Sequence, residues 1–272
     1  MPKLSDYYED WRKSKMVNAP KCLSSAEIII NKIKQSGFYI QHVENQTETL
    51  CILAVEQSPY ALKHVKKQTE KVCLAAVEIN GLTLEFVRKQ TERICIVAMK
   101  QNGFALQHVK RQTKEICLAA VNSSAVAIGF VKNQTEEICL TSVNQNGISI
   151  HHIRNPTEKI CIAAVKSDGD AILYIENQTE KMCLIAVRHS IRTLMYVKDQ
   201  TTHVCLTAVI HNGMALQHVK EQTAEICLAA VKSRGFALKY VMNQTEIICL
   251  AAINEDKQAL KYVKKEMFKK SK

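Results

Sequence analysis

Residues 135–156 read TEEICLTSVNQNGISIHHIRNP and residues 223–244 read TAEICLAAVKSRGFALKYVMNQ. The second stretch repeats the first at a whole multiple of 22 residues. The same ruler orders the cysteines: Cys51, Cys73, Cys95, Cys117, Cys139, Cys161, Cys183, Cys205, Cys227 and Cys249 each lie 22 residues from the next. A threonine stands four residues before every one of them, from Thr47 to Thr245. Extended back one step, the pattern begins at Ser25 with Ile29 in the cysteine place. Eleven repeats of 22 residues therefore run over 25–266 without insertion or deletion. Such self-similarity marks a solenoid or other repeat array, in which each repeat buries its apolar face on its neighbours. Residues 1–24, with Leu4, Tyr7, Tyr8 and Trp11, are expected to cap one end. Residues 267–272 form a basic tail.

Positions within a repeat are numbered from the threonine as column 1. Column 1 is Thr or Ser throughout. Column 12 is Ser, Asn or Asp in all repeats but one, where Arg234 stands. Both residue types cap helix N-termini, because a side-chain oxygen accepts an orphan N–H of the first turn. Pro59 directly follows Ser58, as proline does at the first helical position. Two caps predict two helices, over columns 2–11 and about 13–21. Seven of the eight glycines occupy column 13, where a permissive backbone would let the chain reverse. The first helix (ICLAAV) is apolar nearly all round, as expected of a helix sandwiched between neighbours, and small residues at columns 7 and 8 would let repeats approach closely. The second helix keeps Leu or Ile at column 16 and Val or Ile at column 19.

The expected fold class is therefore all-α, an α-solenoid of eleven 22-residue helix-turn-helix repeats. The rival is a leucine-rich-repeat-like α/β solenoid, whose period accommodates 22 residues. Alanine is a poor strand former, alternate positions of the core string are apolar where such a strand would face water, and the caps would have no purpose there.

The core of the repeat resembles a known family. The string L-A-A-V-x-x-N-G-x-A-L-x-x-V, whose pattern Leu118 to Val131 and Leu228 to Val241 follow, looks like helical repeats of unknown function, with departures such as Ala125, Ile191 and Lys257 at the glycine column. Those repeats are abundant in giant DNA viruses of amoebae and in amoeba-associated bacteria. The resemblance implies a scaffold or interaction role and a viral or host-associated origin. It brings no catalytic residues.

Composition narrows the function classes. Hydrophobic residues make up 47% of the chain and charged ones 23%, which excludes a disordered or collagen-like chain. No apolar run long enough for a transmembrane helix occurs, and the N-terminus has no apolar leader, so a cytoplasmic protein is expected, in the host cell or the virion if viral. On that basis the NQT strings at Asn45, Asn133, Asn177 and Asn243 are by-products of the repeat rather than glycan acceptors.

The cysteine ladder reads as core packing, since equivalent atoms of stacked repeats lie too far apart for a disulfide or a shared zinc ion. Cys22 falls outside it. Column 18 exchanges His42, His64, His108, His152 and His218 with Phe86, Phe130, Tyr174, Tyr196, Tyr240 and Tyr262. A metal ligand or general base could not be exchanged with Phe, so the column wants a flat, partly buried ring. His151 and His152, as helix neighbours, should not face each other. No phosphate loop, zinc-protease or nucleophile-elbow motif occurs. No enzyme, cofactor, metal or small-molecule substrate is expected.

One feature has functional promise. Column 20 carries Lys66, Arg88, Lys110, Lys132, Arg154, Lys198, Lys220 and Lys264, and a regular cation stripe can follow a phosphate backbone. Against this, column 20 would be the last turn of the second helix, where cations suit the helix dipole, with the column-2 glutamates across the turn to neutralise them. More than half of the +11 net charge also sits in residues 1–24 and 264–272. The reading is a non-enzymatic scaffold binding an extended protein partner, through columns 10, 14, 17, 20 and 21, including Phe104, Met214 and Phe236. The alternative is a nucleic-acid-binding solenoid using the cation stripe.

Overall fold

The computed structural model describes residues 24–265, and its regular structure is helical only. Among the described residues eleven α-helices, from Ser25–Gln35 and Glu48–Gln57 to Glu246–Glu255, alternate with eleven short 3-10 helices, from Gly37–His42 to Lys257–Tyr262. This is an all-α solenoid. The leucine-rich-repeat alternative fails because the string it would place on a strand is α-helical in every repeat. The chain divides after Lys89 into two compact bodies, and within each the repeats stack in sequence order. The expected N-terminal cap with Leu4, Tyr7, Tyr8 and Trp11, together with Cys22 and the 267–272 tail, lies outside the described residues.

The α-helices start where a hydroxyl is available. Thr47 Oγ1 accepts the Leu50 N–H at 3.3 Å, and Thr91, Thr113, Thr157, Thr201 and Thr223 act likewise. In the first repeat the cap is Ser24 rather than Ser25, because Ser24 and Glu27 close a reciprocal capping box. In the repeats that begin at Thr69 to Thr223, columns 4, 5, 8 and 9 are buried, as in Ile138, Cys139, Ser142 and Val143. The alanine at column 8 is fully covered from Ala54 to Ala252, with Ser142 in its place once. Ser142 is satisfied there by Ser149 Oγ at 2.6 Å and by the Ala125 carbonyl at 2.9 Å.

Columns 6 and 7 depart from the expected all-round burial. Ile52, Leu74, Ile96, Leu118, Leu140, Ile162, Leu184, Leu206 and Leu228 are only half-buried, and Leu250 is 53% exposed. The physical reason is that within each body the α-helices form a single row. Neighbouring α-helices cover two flanks and the 3-10 helices a third, so one side stays open to solvent.

The second helix is also different. It is a 3-10 helix of six residues over columns 13–18, closed by i→i+3 bonds such as Ala61 N–H to the Ser58 carbonyl at 2.7 Å. Val65, at column 19, is already extended (φ −73°, ψ 118°), which turns columns 20–22 toward the next repeat. The column-12 side chains of Asn80, Asn102, Asn146, Asp168, Ser190, Asn212 and Asp256 cap this helix through the column-14 N–H.

The column-13 glycines are not there to reverse the chain, since no glycine has a positive φ among the described residues. They make room. A Cβ on Gly103 would lie 2.5 Å from the Ala120 carbonyl oxygen of the next repeat, and one on Gly235 would lie 2.6 Å from that of Ala252.

Candidate interaction surface

The edge formed by columns 16–22 is a hydrogen-bonded spine. Its organiser is the column-22 glutamine, which sequence reasoning passed over. In the repeat beginning at Thr113, Gln134 Nε2 donates to the Ile128 carbonyl of its own 3-10 helix at 3.0 Å and to the His152 carbonyl of the next at 2.9 Å. Its Oε1 accepts the Arg154 N–H at 3.0 Å. Gln46, Gln68, Gln178, Gln200, Gln222 and Gln244 repeat the same three bonds. The cysteine of the following helix adds a weak thiol bond to the same oxygen, as from Cys227 to Gln222 at 3.5 Å. The signal was visible in the sequence as a glutamine at one column of nearly every repeat.

The cation column belongs to this spine. Column 20 lies beyond the 3-10 helix, so the expected helix-dipole role does not apply. Lys66 Nζ donates to the Glu44 carbonyl at 3.0 Å, and Arg88 Nη1 to that of Lys66 at 2.8 Å. Arg154 Nη2 reaches the carbonyls of Val131 and Lys132 at 2.7 and 2.9 Å. Lys198, Lys220 and Lys264 likewise reach column-19 or column-20 carbonyls of the repeat before. Lys110 and Lys132 give their N–H groups to Gln90 and Gln112 at 2.9 Å. The seven candidates Lys66, Arg88, Lys110, Lys132, Arg154, Lys198 and Lys220 are therefore aligned as expected, within each body, but most of their heads point back onto main-chain carbonyls. The column-2 glutamates are engaged elsewhere. They meet the next repeat instead: Glu92 and Glu180 accept from Thr113 and Thr201, while Glu136 pairs with Lys159 at 2.5 Å.

Columns 14 and 18 make an aromatic edge. Phe104 meets Phe130 at 6.0 Å between ring centroids and Phe236 meets Tyr262 at 6.0 Å, both edge-on, so these expected contact residues are half engaged in packing between repeats. His151 and His152 do approach, at 5.2 Å, because the tight 3-10 turn lets the His151 ring lean toward Tyr174 at 4.8 Å. The ten ladder cysteines are buried free thiols. Burial pushes each thiol up, Cys73 to about 11, which keeps them protonated and poorly nucleophilic.

The open α-helical face presents what the cation edge does not: apolar surface without a covering neighbour. Between the helices Glu136–Gln145 and Glu158–Ser167 and the helix that follows lies a cleft of about 790 Å³. Leu140, Ile162 and Ala163 form its floor, and Asn144, Glu158, Lys159, Lys166 and Lys181 its polar rim. A second cleft of about 450 Å³ repeats the arrangement around Leu118 and Ala119, with Lys100 and Glu115. The floor comes from columns 6 and 7, residues that sequence reasoning had assigned to the core.

No family model, curated protein or solved structure matches this chain. No helix among the described residues is long and apolar enough to cross a membrane.

Proposed function

We propose that this protein is a non-enzymatic scaffold that binds an extended protein segment along its α-helical face. The observation that carries this reading is the row of half-exposed Leu and Ile at column 6, set in clefts with mixed-charge rims. An apolar strip rimmed by polar groups is what protein interfaces use. Glu115 and Glu158 stand among the rim lysines Lys100, Lys159, Lys166 and Lys181, a mixture that suits a polypeptide carrying both charges better than a uniformly anionic polymer. The nucleic-acid alternative has less support because five of its seven candidate cations, Lys66, Arg88, Arg154, Lys198 and Lys220, donate to main-chain carbonyls.

A photo-crosslinking amino acid placed at Ile162 or Leu118 tests the reading in the native cells. The expected result is a discrete protein adduct that disappears on adding Leu140→Arg, while the same probe at Lys110 or Lys220 gives none. Adducts at Lys110 and Lys220 that contain RNA or DNA, with none at Ile162, would overturn it.

A further inference from the structure

The glutamine spine has one internal break. Column 22 holds Pro156 between the repeats that begin at Thr135 and Thr157. By the pattern of the other repeats, a glutamine there would donate to the carbonyls of Ile150 and Tyr174 and accept from the Glu176 N–H and the Cys161 thiol. Proline can do none of this. The Tyr174 carbonyl and the Glu176 N–H have no hydrogen-bond partner among the described residues. Column 20 changes at the same place: Glu176 stands where its neighbours Arg154 and Lys198 carry cations, and a carboxylate cannot donate back to the carbonyls of Ile153 and Arg154.

The two departures lie at a cleft of about 670 Å³ whose lining includes Pro156 and all four residues that lose the glutamine, Ile150, Cys161, Tyr174 and Glu176, with Asn155 and Asn177 beside them. The cleft also shares Glu158 with the apolar cleft over Leu140 and Ile162.

We infer that this cleft takes a primary carboxamide, the side chain of a glutamine on the bound partner segment. A carboxamide supplies both kinds of group, an NH2 for the two carbonyls and an oxygen for the N–H and the thiol, and it is the group that Gln134 and Gln178 place at the equivalent position of their own repeats. A guanidinium or ammonium would donate but could not accept from Glu176. The partner's glutamine completes the spine in trans, as Gln134 and Gln178 do in cis. A lone carboxamide has too few atoms to bind tightly, so it acts as a register pin for a longer segment, entering beside Glu158 from the α-helical face. The inference thus rests on the scaffold reading.

The test follows the Glu176 amide resonance by NMR while N-acetylglutamine methylamide is titrated to tens of millimolar, with the N-acetylglutamate and N-acetylarginine methylamides as controls. The expected result is a saturable shift with the glutamine probe at least several-fold larger than with either control. Pro156→Ala should keep it and Pro156→Gln, which closes the spine from within, should abolish it. No saturable shift in the native protein, an equal shift in Pro156→Gln, or a response to the arginine probe alone would overturn the inference. Ile162→Arg separates the two ideas. It should leave this shift intact while removing the crosslinked partner, so failure of the cleft and failure of the α-face reading give different patterns.

Discussion

The guanidinium of Arg154 donates to the main-chain carbonyl of Val131 at 2.7 Å, 23 residues earlier and one repeat back. It reaches the Lys132 carbonyl with the same nitrogen at 2.9 Å. A residue type that in sequence suggests a phosphate contact here caps the peptide groups of the repeat before it. Replacing Arg154 by Met should cost about 1 kcal/mol, since two charge-assisted but solvent-exposed hydrogen bonds are lost. Lys at the same place recovers part of this, because it has no planar fork. Urea midpoints of the two variants check the order; equal stability of Met and native protein would contradict a structural role.

The glutamine spine should matter more than the cations. Gln112 donates to the Phe130 carbonyl at 2.9 Å and accepts from the Lys132 N–H at 2.9 Å. Gln112→Ala leaves both peptide groups to solvent and is expected to destabilise by about 1–2 kcal/mol. Gln217→Ala is the control, for Gln217 bonds only within its own turn, to the Met214 carbonyl. Thermal unfolding of the pair distinguishes a spine from a run of surface amides.

Glycine substitutions report the spacing of the repeats. Gly103→Ala drives a methyl group to 2.5 Å from a main-chain oxygen that is fixed within a helix, and should cost about 1–3 kcal/mol. Gly129→Ala meets nothing closer than 3.6 Å, from His152, and should be neutral or stabilising by a few tenths of a kcal/mol. Similar losses at both positions would mean that backbone freedom, not room, selects glycine.

The cysteine ladder predicts an alkaline weakness. Each buried thiol titrates above its unfolded value of about 8.5, and Cys73 does so at about 11. For an acid whose folded pKa is raised, the stabilisation is complete below the unfolded pKa and is lost as pH rises toward the folded one. The thermal midpoint should therefore fall between about pH 8.5 and 10, and Cys73→Ala should flatten part of that slope. A midpoint constant over this range would contradict burial of the thiols.

The repeat and its first helix were legible because the 22-residue ruler, the threonine caps and the ICLAAV string all agree. The second helix was legible as a helix but not as 3-10. The clue was the spacing of Gly at column 13, Leu at column 16 and Val at column 19, a period of three that matches a 3-10 turn better than an α-turn. The outward side of the first helix was misassigned because Leu118 and Leu140 have core chemistry. Only the packing decides that a row of helices leaves one side uncovered. The cation edge was found by column, but its partners are carbonyls, which no sequence pattern displays.

The most direct measurement is fluorescence anisotropy of labelled single-stranded RNA and duplex DNA, titrated with the protein from about 50 to 300 mM salt. The account predicts no binding above about 100 mM salt, because the column-20 cations serve the main chain. Micromolar binding at physiological salt, with a salt slope implying several phosphates and abolished by charge reversal at Lys66, Arg88, Lys110 and Lys132, would contradict it.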